Sequence, residues 1–269
     1  MKNSISVEAV NEILREYFPD TNDKVTQAME YSLFSGGKRI RPMLLLATAK
    51  AVGGRISESA KIMAAALEYI HTYSLIHDDL PCMDNDDVRR GKRSCHMQYG
   101  EAAAVLAGDA LLNLAAETAF SGPLNNKRYV AACRYMFKMS GICGMAHGQS
   151  LDLFTETKTI DDANAVALHK TGDLIRAALV CGALCGGASD DETEIFDQIA
   201  IKLGICYQVV DDMLDANKCE KSFLDVMSER ALKEYACKLT DEIKALTDKL
   251  PYDTSFIESI AEQNLVRTK

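Results

Sequence analysis

Two acidic clusters, each closing an apolar segment with helical spacing, constrain this chain more than any other feature. The first lies in LEYIHTYSLIHDDLPCMDNDDVRRGK, residues 67–92, where Leu67, Ile70 and Ile76 give way to Asp78, Asp79, Asp84, Asp86 and Asp87, then to Arg89 and Arg90. Pro81 has no amide to continue a helix, so the pattern predicts a helix ending near Asp78 with carboxylates at its C-terminal mouth. The helix dipole already puts partial negative charge there, and further carboxylates repel it and one another. A divalent cation resolves that conflict. Crowded hard oxygens suit Mg²⁺, which keeps several waters and joins one or two carboxylates to substrate phosphates. A solvated acidic loop balanced by RRGKR is the plainer alternative.

The second cluster, GICYQVVDDMLD at 204–215, repeats the design with Asp211, Asp212 and Asp215. Asp211 and Asp215 share a helix face at i, i+4, where like charges destabilise unless something compensates. One such motif is weak evidence; two in one chain, one of them joined to RRG, are strong. Facing each other across a bundle, they would hold metal ions around a diphosphate.

Composition favours helix throughout. The 269 residues include 5 Pro and no Trp and are 48% hydrophobic, with no evident period-2 strands, so the expectation is an all-α chain with one domain over 1–269. A net charge of −9 argues against nucleic acid, whose phosphates require a basic footprint. Nine cysteines without a CxxC pair predict free thiols and a cytoplasmic setting. No signal-like N-terminus is evident and no run reaches the length of a membrane span, so no stable membrane association is expected.

Three further segments suggest anion binding. In GGKRIRP (36–42), Gly37, Lys38, Arg39 and Arg41 sit at the start of an apolar helix, where backbone amides, a helix N-terminus and cations converge, or else form a solvated basic turn. His71 lies two turns before Asp78; alone, it reads more readily as a core histidine. Lys170, in HKTGDLIRAA (169–178), sits within an apolar helix and so requires an anionic partner.

Six segments in order, GGKRIRP, HTYSLIHDDLPCMDNDDVRRGK, GEAAAVLAGDALL, GMAHGQSLDL, HKTGDLIRAA and YQVVDDMLD, resemble the trans-isoprenyl diphosphate synthases (polyprenyl synthetases), and among them the bacterial farnesyl diphosphate synthases. The resemblance implies a helical bundle around a deep central cavity. It implies a transferase that condenses isopentenyl diphosphate with an allylic diphosphate after Mg²⁺-assisted ionisation, with up to three ions and Mn²⁺ as a possible substitute. Asp78, Asp84 and Asp211 would ligate metal directly, Asp215 also being a candidate, with Asp79 and Asp212 in support. Arg89, Lys170, Thr171 and Gln208 would serve the allylic diphosphate. Gly37, Lys38, Arg41, His71 and Arg90 would hold isopentenyl diphosphate, and the released diphosphate would take the final proton. Gln149 and Asp152 match positions that orient ligands, although packing explains them equally well.

Tyr73, with Ser74 beside it, lies five residues before Asp78, about 7 Å down the helix at about 1.5 Å per residue, where a ring would floor the cavity and favour a C15 product. Geranylgeranyl or geranyl diphosphate synthesis and a non-catalytic partner subunit remain as alternatives, and the resemblance suggests a homodimer. A terpene cyclase would need no second diphosphate site, which Lys38, Arg41 and Arg90 provide. One departure stands out. Relatives follow the second acidic motif with a glycine-rich GKxxGxD loop carrying a phosphate-binding lysine, whereas here Asp215 runs into ANKCEKSFLDVM. Arg267, near the C-terminus, is a basic residue that could close over the site.

Overall fold

A computed structural model describes residues 5–214 and 223–267. The first two helices, α1 (Val7–Tyr17) and α2 (Lys24–Phe34), begin where the sequence offers side-chain oxygens to orphan amides: Ser6 caps the Ala9 N–H, and Asp23 caps those of Val25 and Thr26. Helices α3 (Ile40–Gly53) and α4 (Glu58–Asp78) follow, the latter capped by Ser57 and ending as Pro81 requires. Next come a short α5 (Cys95–Tyr99), α6 (Glu101–Phe120), α7 (Lys127–Ser140), α8 (Met145–Phe154) and α9 (Ile160–Val166). A wide π-turn, Ala167–Gly172, leads without a break into α10 (Asp173–Gly186). The long α11 (Asp190–Leu214), a 3₁₀ turn at Phe223–Asp225, α12 (Glu229–Thr247) and α13 (Ser255–Leu265) complete the described chain.

Helix α10 lies at the centre, packed against α3, α4, α7 and α11, and α4 packs against α6. The main core joins α4 residues such as Leu67 and Ile70 to Leu44, Leu45, Leu179 and Leu203. A smaller core of Ile205, Val209, Val210, Phe223, Leu232 and Leu239 seats the end of α11 on α12. Each acidic helix is thus fixed by its own apolar packing before its carboxylates emerge.

The all-α expectation holds, and the details add to it. One short antiparallel ribbon, β1 (Val88–Arg89) and β2 (Lys92–Arg93), accompanies the helices, with Val88 opposite Arg93. Two residues a strand are too few for period-2 alternation to show. Arg90 and Gly91 turn this ribbon with φ of 53° and 73°, the left-handed pair that a tight hairpin demands. The apolar helix that carries Lys170 contains the π-turn. Finally, α6 is by length and composition apolar enough to cross a membrane. Its buried side (Ala103, Ala104, Ala107, Leu111, Ala115) faces the protein, whereas Val105, Leu106 and Phe120 are exposed.

Candidate active site

The mouth of α4 is built by main-chain hydrogen bonds. The Asp84 amide donates to the Asp78 carbonyl over 2.9 Å, and the Met83 and Asn85 amides donate to Leu80 O, so the loop folds back and brings the two ends of DDLPCMD together. Burial, reinforced by the charges of Asp84 and Asp79 and opposed by Lys170, pushes the Asp78 carboxyl up to about 6. Asp79 caps α4, is 2% exposed, and accepts from Arg89 Nε at 2.9 Å and from Arg89 Nη2. Arg89 also reaches Asp86. In this arrangement Asp79 acts on Arg89, holding its guanidinium beside the acidic loop.

The basic segment meets this loop from the other side. Arg90 donates to the Gly36 carbonyl, and its guanidinium carbon would stand 2.7 Å from a Cβ on Gly37, whose φ of 119° favours glycine in any case. His71 is half-buried among Arg41, Arg90, Arg39 and Arg89; burial and those charges hold its imidazole neutral, well below its usual pKa. Arg41 has a buried Nε without a hydrogen-bond partner among the described residues, and desolvation lowers its pKa. A desolvated, partly unpaired guanidinium beside a neutral imidazole suits an anionic ligand. Lys38 stays exposed at the rim. Arg39 turns the other way, inward to Glu68.

The π-turn supplies the third side. Lys170 donates to Asp152 Oδ2 on α8 at 2.5 Å. Burial works against its ammonium, but Asp152, Asp84 and Asp78 outweigh that and raise its pKa. The Thr171 hydroxyl donates to Gln208 Oε1 at 2.9 Å, and Gln208 Nε2 donates to Asp212 Oδ1 at 2.7 Å. Asp212 also accepts the Phe223 amide at 2.8 Å. Arg267 lies over the Tyr207 ring at 5.6 Å and donates to Asp211, so a direct metal bond at that oxygen requires Arg267 to release it. Asp215, expected as a metal ligand, and the segment after it through 222 lie outside the described residues. Lower on α4, Tyr73 is half-buried edge-to-face with His77 at 5.9 Å, and its neighbour Ser74 donates to the His71 carbonyl at 2.9 Å.

The structure therefore gathers Asp78, Asp84, Lys170, Thr171 and Gln208 on one side and Gly37, Arg41, His71 and Arg90 on the other. It also shows partners that the sequence reading missed, Glu68 and Asp173 above all. Both are charged residues inside otherwise apolar helices, and that was the available signal. Gly148 was missed too: a Cβ there would lie 2.0 Å from the Lys170 amide nitrogen. Backbone cannot yield as a side chain can, so Gly148→Ala should part α8 from the π-turn, costing about 1–3 kcal/mol. Thermal unfolding checks this; an unchanged melting temperature would contradict the contact.

Among the described residues no three His, Cys, Asp or Glu side chains converge as a ready metal site. Mg²⁺ needs no such cage, since one or two carboxylates and substrate phosphates suffice. Asp78 fits that use: it is half-buried, and the charges of Asp84 and Asp79 press on it while Lys170 and Arg89 oppose them.

Comparison with known proteins bears on the family and the fold. The chain is 46% identical over 207 residues to the large subunit 1 of a heterodimeric geranylgeranyl pyrophosphate synthase of Arabidopsis thaliana, covering 74% of this chain and 56% of that protein. It is 42% identical over 208 residues to a Micrococcus luteus farnesyl diphosphate synthase, covering 77% and 71%. The chain thus spans little more than half the length of the plant relatives, 56 to 58% for three of them. The crystal structure of an FPP/GFPP synthase from Zymomonas mobilis superposes with a TM-score of 0.88 at 32% identity, covering 96% of this chain and 95% of that one. The polyprenyl synthetase family model matches residues 22–229, and the chain, all-helical but for one short ribbon, belongs to that family.

Proposed function

We propose that this protein condenses isopentenyl diphosphate with an allylic diphosphate, dimethylallyl and then geranyl, and stops at farnesyl diphosphate. One observation carries the reading: two separate cationic patches flank a single acidic mouth, as a reaction between two diphosphates requires. Lys170 and Thr171 hold the allylic diphosphate, and Gln208 keeps Thr171 tied to Asp212. Arg41, Arg90 and the neutral His71 hold the second diphosphate, so its double bond is presented in one orientation. Asp78 and Asp84 would hold Mg²⁺, which would supply neutralisation of the charge that develops on the departing diphosphate. No protein nucleophile is involved.

The test is incubation of the purified protein with Mg²⁺, isopentenyl diphosphate and either allylic substrate, with products sized by chromatography. A C15 product that disappears with EDTA supports the reading. A C20 product, the second reading favoured by relatives named as geranylgeranyl synthases, would keep the chemistry and remove the floor. No condensation by folded protein would favour a partner subunit. Burial and the nearby charge of Asp78 push the Tyr73 phenol up to about 12, so as a floor it would present a neutral ring to the growing chain. Tyr73→Ala should shift products towards C20; an unchanged profile would refute the floor.

The same proposal takes the protein as a cytoplasmic homodimer. The described cysteines are free thiols. Leu106 is 53% exposed and Phe120 55% on α6, an apolar face suited to a second copy of this chain. Leu106→Asp should halve the mass found by sedimentation; a monomeric wild type would overturn the assignment.

A further inference from the structure

We infer that His169, held by the partly buried chain Asp173–Arg176–Asp197, is the positioning residue that sets the π-turn and thereby aims Lys170 and Thr171. This rests on the reading of those two residues as the allylic-diphosphate side. Such a wide turn is rare within α-helices and frequently lies at functional sites. Three consecutive residues here are anchored in three directions. Lys170 goes to Asp152 on α8, Thr171 to Gln208 on α11, and His169 back into α10 through Asp173.

The His169 anchor is the deepest of the three. Asp173 is fully buried and uses both oxygens, taking His169 Nδ1 on Oδ2 and Arg176 Nη1 on Oδ1, each at 2.8 Å. Arg176 then grips Asp197 on α11 with two parallel bonds of 2.8 Å, and the Tyr135 hydroxyl on α7 donates to the same carboxylate. A carboxylate can only accept, so Nδ1 of His169 carries the proton and the ring orientation is fixed; His147 packs edge-on at 5.2 Å. Buried ion chains of this kind add little net stability, because desolvation offsets their attraction. Their contribution here is directional. The chain joins α7, α10 and α11 and ends on the residue next to Lys170.

The test compares His169→Phe, which keeps a ring without the donor, with His169→Asn, whose amide nitrogen falls close to Nδ1. Steady-state kinetics are measured with each substrate varied in turn. For His169→Phe the KM for the allylic substrate should rise about tenfold or more with that for isopentenyl diphosphate unchanged. His169→Asn should recover most of the loss and melt near wild type, whereas His169→Phe, which leaves the buried Asp173 Oδ2 without its donor, should melt a few degrees lower. Equal effects on both substrates, or equal impairment of the two variants, would overturn the inference. A wild type that condenses nothing would instead sink the allylic reading. Calorimetric titration with inorganic pyrophosphate then decides the positioning role on its own: weaker binding to His169→Phe supports it, and unchanged binding rejects it.

Discussion

Asp78→Asn is expected to lower the condensation rate about a thousandfold, while the ligand-free variant melts a few degrees higher than wild type. Both effects have one cause. Burial and like charge raise the Asp78 carboxyl from 3.8 to about 6. That displacement corresponds to at most about 3 kcal/mol of destabilisation, present while the group is ionised. Because the folded pKa is raised, the penalty is complete above about pH 6 and fades as pH falls from there towards the unfolded value near 3.8. Asparagine removes it at neutral pH. The stability gain should therefore be visible at pH 7.5 and vanish near pH 4, and scanning calorimetry at the two values tests it. Retained activity would remove Asp78 from the site, and a lower melting temperature at pH 7.5 would contradict the strain.

The largest expected loss of stability comes from a residue with no place in the chemistry. Glu68→Ala should cost about 3–5 kcal/mol and about 10 °C in melting temperature. Arg39 begins α3 in the left-handed region, at φ 51°, and its guanidinium is turned inward. It donates to Glu68 Oε1 at 2.7 Å, to Asn11 Oδ1 at 3.0 Å and to the Leu33 carbonyl. The two side chains of the ion pair are 1% and 2% exposed. Removing the carboxylate strands a buried cation between Lys38 and Arg41, so affinity for isopentenyl diphosphate should fall as well. The double change Arg39→Met, Glu68→Leu should recover much of the melting temperature without restoring that affinity. A neutral Glu68→Ala in thermal unfolding would show that the pair contributes nothing.

These cases mark where the sequence was legible. The caps at Ser6, Asp23 and Ser57 and the end of α4 before Pro81 follow from local chemistry that short patterns carry. The motif residues of the two patches were readable because charge in an apolar helix needs a reason. What the sequence did not reveal depends on contacts between distant segments. The π-turn exists because α8, α10 and α11 hold it, and nothing in HKTG alone distinguishes it from ordinary helix. Arg39 and Arg41 are both basic residues on one short segment, and only the fold sends one inward and the other towards the anion side.

The glycines at the crossing points have a consequence for how such a protein can change. A Cβ on Gly204 would lie 2.3 Å from the Gly172 Cα, as close as Gly148 lies to the turn on its other flank. The gap between the acid-bearing α11 and the lysine-bearing turn is thus set by main chain against main chain, with no side chain acting as spacer. Tyr73 has no part in that spacing. On the proposed function, ionisation and chain length are then independent variables: substitutions low on α4 would explore new products generation after generation, while the dimensions of the reactive end are inherited unchanged.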